Sequence, residues 1–224
     1  ASALNLSKAV IHRILSSLRQ PGFVRVDPDT RRYSLGPAAL TIGASYLDNM
    51  DIRDLASEPM RRLVKLTGET ATLSIRDGWS RVYIDQMTPP REVKMSVRLG
   101  VPFPLHAGGS SKAFLAFLPD DEIDRYLDQP DLTGLTPHTL TDAAAIRREI
   151  ATIREQGYAT SFGERQSGAA SVAAPVFDRR GEPIAVVSVS GPVERYRPHV
   201  ESAAEHLLTE TTELSRLMGW RPTA

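Results

Sequence analysis

A chain of 224 residues is about one and a half ordinary domains long, and 41% hydrophobic with 24% charged residues is a folded globular composition, not a collagen-like, low-complexity or disordered one. It has no cysteine, which removes disulfide frameworks, thiolate metal sites and cysteine nucleophiles together and fits a reducing compartment; no apolar run approaches the roughly 18 residues that span a bilayer. Cations and acids balance at 27 each, yet residues 1–36 hold Lys8, Arg13, Arg19, Arg25, Arg31 and Arg32 against Asp27 and Asp29, so a head of charge +4 precedes a body of −4, which suits a polyanion as the head's partner or is simply a solvated face.

In chain order, Ser7 is an N-cap for a helix over residues 8–19, in which Ile11, Ile14, Leu15 and Leu18 recur at helical spacing as a core stripe. The opposite face carries Ala9, His12, Arg13 and Ser16 with Lys8 beside them: donors and one small residue, a surface suited to a DNA major groove. Pro21-Gly22 stops the helix, residues 23–26 read as a strand, Asp27 to Thr30 as a turn and residues 31–35 as the returning strand. A helix followed by a basic-tipped hairpin is the second half of a winged helix-turn-helix.

Pro37 opens a connecting helix that runs to Met50, and Asp51 begins a second helical pattern that ends at Thr67-Gly68, with Pro59 as a kink or reset. The period then changes to two. Strands are expected over residues 70–75, 81–87 and 93–97, joined first by the Asp77-Gly78 turn, and Pro102-Phe103-Pro104 should break the meander. Helices follow over residues 111–118, 121–127 and 142–156, then strands over 158–162, 171–177 and 184–190, and a closing helix over 198–218. Strands and helices in this order make an α+β domain, an antiparallel sheet with flanking helices.

Two features of this domain suit a small ligand. Gly108-Gly109-Ser110 ahead of a helix offers unpaired N–H groups and the positive end of the helix dipole to an anion, or merely makes a tight turn. Ser188 and Ser190 share one strand face, and Ser171 starts the neighbouring strand; the three could grip a polar molecule or be ordinary surface groups. Catalytic patterns are absent: the five histidines form no metalloprotease pattern, no G-x-S-x-G or phosphate loop occurs, and His106, the histidine nearest the glycines, reads as structural.

Leu6 to Leu15, Gly22-Phe23-Val24 and Arg32 to Gly36 resemble the recognition helix and wing of the IclR family of bacterial transcriptional regulators. His106 to Ala113, Gly157-Tyr158-Ala159, Ser171 to Phe177 and Ser188 to Pro192 are similar to successive signatures of that family's GAF-like effector domain, so the resemblance covers nearly the whole chain. It implies a DNA-binding domain over residues 1–36, a linker helix over 37–50 and an effector-binding domain over 51–224. The family has one or more helices ahead of the recognition helix, and the chain starts at Ala1 just before it; as given, the head is incomplete and is expected to bind DNA poorly.

By this resemblance Ser7, Lys8, Ala9, His12, Arg13 and Ser16 face DNA, and Arg31 and Arg32 reach phosphates or the minor groove. Gly109 and Ser110 would offer N–H groups to a small organic acid, Ser188 and Ser190 hydroxyls, and Met95 and Phe103 an apolar wall. Ser161 and Ser171 stand where members that sense small keto acids tend to carry an acid and a cysteine, which argues against those ligands unless Glu164 or Arg165 compensates. The expected protein is a cytoplasmic homodimer or dimer of dimers that binds an operator on double-stranded DNA, without cofactor, metal or membrane. A sensor acting through protein partners and a small-molecule enzyme remain as alternatives.

Overall fold

A computed structural model describes residues 6–41, 51–130 and 132–221. The chain divides into two compact units, Ala1–Asp51 and Ile52–Ala224. The smaller holds helix α1 (Lys8–Arg19) and strands β1 (Val24–Val26) and β2 (Tyr33–Leu35), paired antiparallel with Val24 opposite Leu35. Ser7 caps α1 by accepting the Val10 N–H at 3.3 Å. In the hairpin loop Asp27 Oδ1 accepts the N–H groups of Thr30 (2.8 Å) and Asp29 (3.0 Å), an Asx turn whose donors hold the carboxyl below its usual range.

The apolar stripe of α1 is less buried than its spacing predicts. Ile11 and Leu15 are half-buried, but Ile14 and Leu18 stand 47% and 38% exposed. A helix starts at Pro37 and is described as far as Thr41; the rest of the expected linker lies outside the described residues.

The larger unit runs α2 (Ile52–Thr67), β3 (Thr70–Asp77), β4 (Ser80–Met87), β5 (Pro102–Pro104), α3 (Gly109–Ala116), α4 (Asp120–Leu127), α5 (Ala143–Gln156), β6 (Ala159–Phe162), β7 (Ala169–Phe177), β8 (Pro183–Pro192), α6 (Val193–Tyr196) and α7 (Val200–Leu217). Its sheet has the order β5-β4-β3-β8-β7-β6, with every neighbouring pair antiparallel. This is the α+β architecture that the order of patterns predicts.

Successive strand residues point to opposite faces, and each face builds its own core. Val187 and Val189 join Ala71, Leu73 and Val172 beneath α2 and α7, where Met60, Leu63, Leu207 and Leu214 are fully buried. Val186 and Ala173 join Phe114 and Leu115 of α3, Ile123 of α4 and Ile146, Ile150 and Ile153 of α5 on the other face. Pro59 is buried inside an unbroken α2, so it does not reset the helix.

Two local expectations fail for identifiable reasons. Residues 93–97 form no strand: Gln86 takes the Val97 N–H and C=O with its side-chain amide (both 3.0 Å), and Thr70 Oγ1 donates to the Met95 carbonyl (2.6 Å), so side chains replace a ladder. Pro102 to Pro104, expected to break the sheet, is its edge strand, a position where a residue without an N–H costs no ladder bond. Val93 is 66% exposed while Met95 and Val97 are buried, so the three do not share an environment.

The ends of α5 follow local rules: Asp142 Oδ2 accepts the Ala145 N–H at 2.8 Å, and Gly157 closes the helix at φ 82°. Asp142→Ala is expected to cost about 1 kcal/mol in urea unfolding, the usual worth of such a cap; an unchanged midpoint would mean that packing alone holds the helix end. No helix among the described residues is long and apolar enough to cross a membrane.

Candidate functional site

On the α3 side of the sheet the same alternation that buries Val186 brings up Ser188 and Ser190. Register aligns them with neighbours of the same kind. Ser161 pairs with Ser171, Ser171 with Ser190, and Ser190 with Thr70, a row of four hydroxyl residues across β6, β7, β8 and β3. The adjacent row is Ala159, Ala173, Ser188 and Thr72, and the Ser188 and Thr72 hydroxyls hydrogen-bond at 2.7 Å.

Helix α3 starts directly above these rows. A Cβ on Gly109 would lie 2.8 Å from Ser171 Oγ and 3.6 Å from Ala173 Cβ, so the missing side chain lets the helix N-terminus approach the sheet. Gly108 takes φ +90° at the cap position and has no side chain with which to cap the helix. The first N–H groups of α3 and the serine hydroxyls therefore border one narrow cavity of about 20 Å³, lined by Gly108, Gly109, Ser110, Ser161, Ser171, Ser188 and Ser190 together with Arg81, Tyr83 and Arg165.

Arg81 is the unusual member. It is 1% exposed; its Nε donates to Ser111 Oγ at 3.1 Å and its guanidinium lies 3.9 Å from the Tyr83 ring centre, but its buried Nη1 has no partner. Burial pushes its pKa below the usual arginine value, and the nearby charge of Arg165 acts the same way. An unpaired buried cation costs several kcal/mol by general estimates (~3–5) unless something neutralises it.

The acid nearest in sequence does not. Glu164 accepts the Lys112 ammonium at 2.7 Å and the Gly108 N–H at 3.2 Å, and Lys112 also donates to Glu149 at 2.7 Å. Burial raises the Glu164 pKa despite the opposing pull of Lys112.

Of the residues expected to hold a ligand, Gly109, Ser110, Ser161, Ser171, Ser188 and Ser190 line this cavity, and Met95 and Phe103 do not. Phe103 instead sits opposite Arg81 in the β4–β5 ladder, with its ring centre 5.0 Å from the guanidinium; Met95 is buried in the segment that forms no strand. Arg81 and Tyr83 escape sequence reasoning because alternation along β4 assigns them to the face opposite Val82 and Ile84, which reads as the solvent face until helices cover both sides. His106 is buried among protein partners, with Nδ1 2.7 Å from the Tyr126 hydroxyl and Nε2 3.1 Å from the Thr133 carbonyl oxygen; burial pushes the Tyr126 pKa up to about 12. Among the described residues no three histidines and carboxylates gather as metal ligands.

A wider cleft of about 390 Å³ between α2 and α7 contains Arg91, Arg195, His199 and His206, but there Glu69 already accepts both arginines, Arg195 at 2.6 Å and Arg91 at 3.5 Å. In the smaller unit Ser7, Lys8, Ala9, His12, Arg13 and Ser16 are exposed on α1, and Arg31, at φ 57°, and Arg32 are exposed in the hairpin loop. The His12 ring stands edge-on to Tyr33 at 6.2 Å.

Comparison with known proteins agrees with this architecture. Residues 44–216 match the family described as bacterial transcriptional regulator IclR, C-terminal. The HTH-type transcriptional repressor AllR of Klebsiella pneumoniae is 32% identical over 222 residues, 99% of this chain and 82% of the repressor. The HTH-type transcriptional regulator KipR of Bacillus subtilis is 30% identical over 98% of this chain and 88% of its own. Among solved structures, Thermotoga maritima IclR is 33% identical with a TM-score of 0.73 over 98% of this chain and 89% of that one. A putative IclR regulator from Silicibacter is 29% identical with a TM-score of 0.83 over 97% and 86%. These proteins carry the names of regulators and repressors, not of enzymes, and with most of its length matched the chain belongs to the IclR family of bacterial transcriptional regulators.

Proposed function

We propose that this protein is an operator-binding transcriptional regulator whose larger unit binds a small organic acid and thereby alters DNA affinity. The observation that carries the effector half is Arg81: a buried guanidinium with an unpartnered Nη1 beside a helix N-terminus and five serines is a donor set suited to an anion. A carboxylate there would accept hydrogen bonds from the guanidinium, the α3 N–H groups and the hydroxyls together. Family membership and the exposed basic face of α1 support the DNA half, in which α1 is the recognition helix and the β1–β2 hairpin the wing.

In this reading residues 1–36, 37–50 and 51–224 are the DNA-binding head, linker and effector domain. The protein acts in the cytoplasm as a homodimer or dimer of dimers, because one recognition helix covers one half-site and a two-fold operator needs two. The acid changes DNA affinity only by binding one arrangement of the heads better than the other.

The test is selection of binding sites from random duplex DNA, followed by fluorescence anisotropy with and without carboxylates. Binding should weaken steeply with salt, and at least one acid should change the affinity several-fold. Arg13→Ala is expected to weaken the selected site by about 1–3 kcal/mol, the usual worth of a base-reading arginine. No selected sequence would sink the DNA half, and DNA affinity indifferent to every acid would sink the coupling.

A further inference from the structure

We propose that the ligand of the Arg81 cavity is a compact dianion, with one acidic group on Arg81 and the second on Arg165; this rests on the effector reading above. The cavity holds two guanidinium groups rather than one. Arg81 lies 3.9 Å from the Tyr83 ring centre and 5.0 Å from that of Phe103, and Arg165 lies 5.8 Å and 5.4 Å from the same two rings, so both cations gather over one aromatic pair. Among the described residues neither forms an ion pair with a carboxylate, and no acid lines the cavity. Glu164, adjacent to Arg165 in the chain, pairs instead with Lys112 and accepts the Gly108 N–H.

The wall therefore carries two unneutralised charges, and the α3 N-terminus adds to them. A monocarboxylate would leave one of the two cations facing the other in a space shielded from water. A second acidic group removes that repulsion and gives Arg165, half-buried in the loop between β6 and β7, a partner of its own. The remaining lining is hydroxyls and backbone N–H groups, which suits a hydroxy or keto oxygen between the acids. The walls nearly meet across the cavity, with about 20 Å³ open to a water-sized molecule, so a ligand must be short and must part them on entry. A second carboxylate and a phosphate meet the same requirement.

Isothermal titration tests this with matched probes, succinate and malate against succinamate and butyrate, and with 3-phosphoglycerate, two acidic groups but about three charges near neutral pH, as the phosphate source. At least one dianion is expected to bind about tenfold or more tighter than the monoanions, a gap of about 1.4 kcal/mol or more. Arg165→Gln should narrow the gap, weakening the dianions about tenfold more than the monoanions, and Arg165→Lys should restore part of it; circular dichroism and the melting midpoint check that both variants fold. Preference for succinate or malate names a diacid, and preference for 3-phosphoglycerate names a phosphorylated acid. Equal affinity for mono- and dianions, or a gap undiminished in Arg165→Gln, overturns the dianion but leaves the carboxylate site standing if Arg81→Gln abolishes binding. Silence from every acid of either charge overturns both.

Discussion

Phe114→Ala is expected to destabilise the larger unit by about 3–5 kcal/mol, the range for deleting a fully buried aromatic side chain. Phe114 has no exposed surface and packs in the cluster of Leu105, Ile123, Ile146, Ile150 and Ile153, between α3, its neighbouring helices and the sheet. Truncation forfeits the transfer of the ring out of water and leaves a cavity that these branched side chains fill only in part. At about 2–4 °C per kcal/mol for a chain of this size, the melting midpoint should fall by roughly 6–20 °C. The same change should weaken ligand binding, because Phe114 seats the helix whose first N–H groups border the cavity. Urea unfolding measures the first effect and titration of an acid the second; a loss below about 1 kcal/mol would contradict the packing of α3, since even modest core truncations exceed it.

Arg81→Met should have the opposite signature: a more stable free protein that no longer responds to ligand. Methionine keeps most of the length and apolar stem of arginine and sheds a charge that is 1% exposed with Nη1 unpartnered. Replacing buried charges by packed apolar groups commonly stabilises by about 1–4 kcal/mol, and here the lost Ser111 hydrogen bond and ring contacts offset part of the gain. A bound acid at about 100 times its dissociation constant adds roughly 2.7 kcal/mol to the parent protein. In the variant that increment should vanish. Scanning calorimetry with and without succinate, malate or 3-phosphoglycerate reads both effects. A free variant less stable than the parent would make Arg81 a structural residue, and a retained ligand shift would remove it from the site.

Much of the fold is legible residue by residue. The span of α1 over residues 8–19 follows from Ser7 and the Pro21-Gly22 stop, and the first hairpin of the larger unit turns at Asp77-Gly78 between β3 and β4. Where reading fails, a distant side chain intervenes. Residues 93–97 alternate like a strand, but Gln86 and Thr70 take their backbone groups; Pro102 to Pro104 read as a breaker, but the sheet has an edge that accepts them. The apolar stripe of α1 was legible as a pattern, but its burial depends on what packs against it.

Sequence alone determined the local features: helix caps, turns, the change of period from helix to strand, the opposite charges of head and body, and the glycines ahead of α3. Each depends on residues within a few positions of one another, where backbone geometry and side-chain chemistry act directly. The tertiary structure decided which of these features meet. Sheet register, set by pairings across the whole chain, lines up Thr70, Ser190, Ser171 and Ser161 under α3 and brings Arg81 from β4 beside Arg165 from a distant loop. Alternation along β4 assigns Arg81 to one face but does not say what covers that face. Burial without a partner, the property that makes Arg81 informative, arises only when α3 and the sheet close over it.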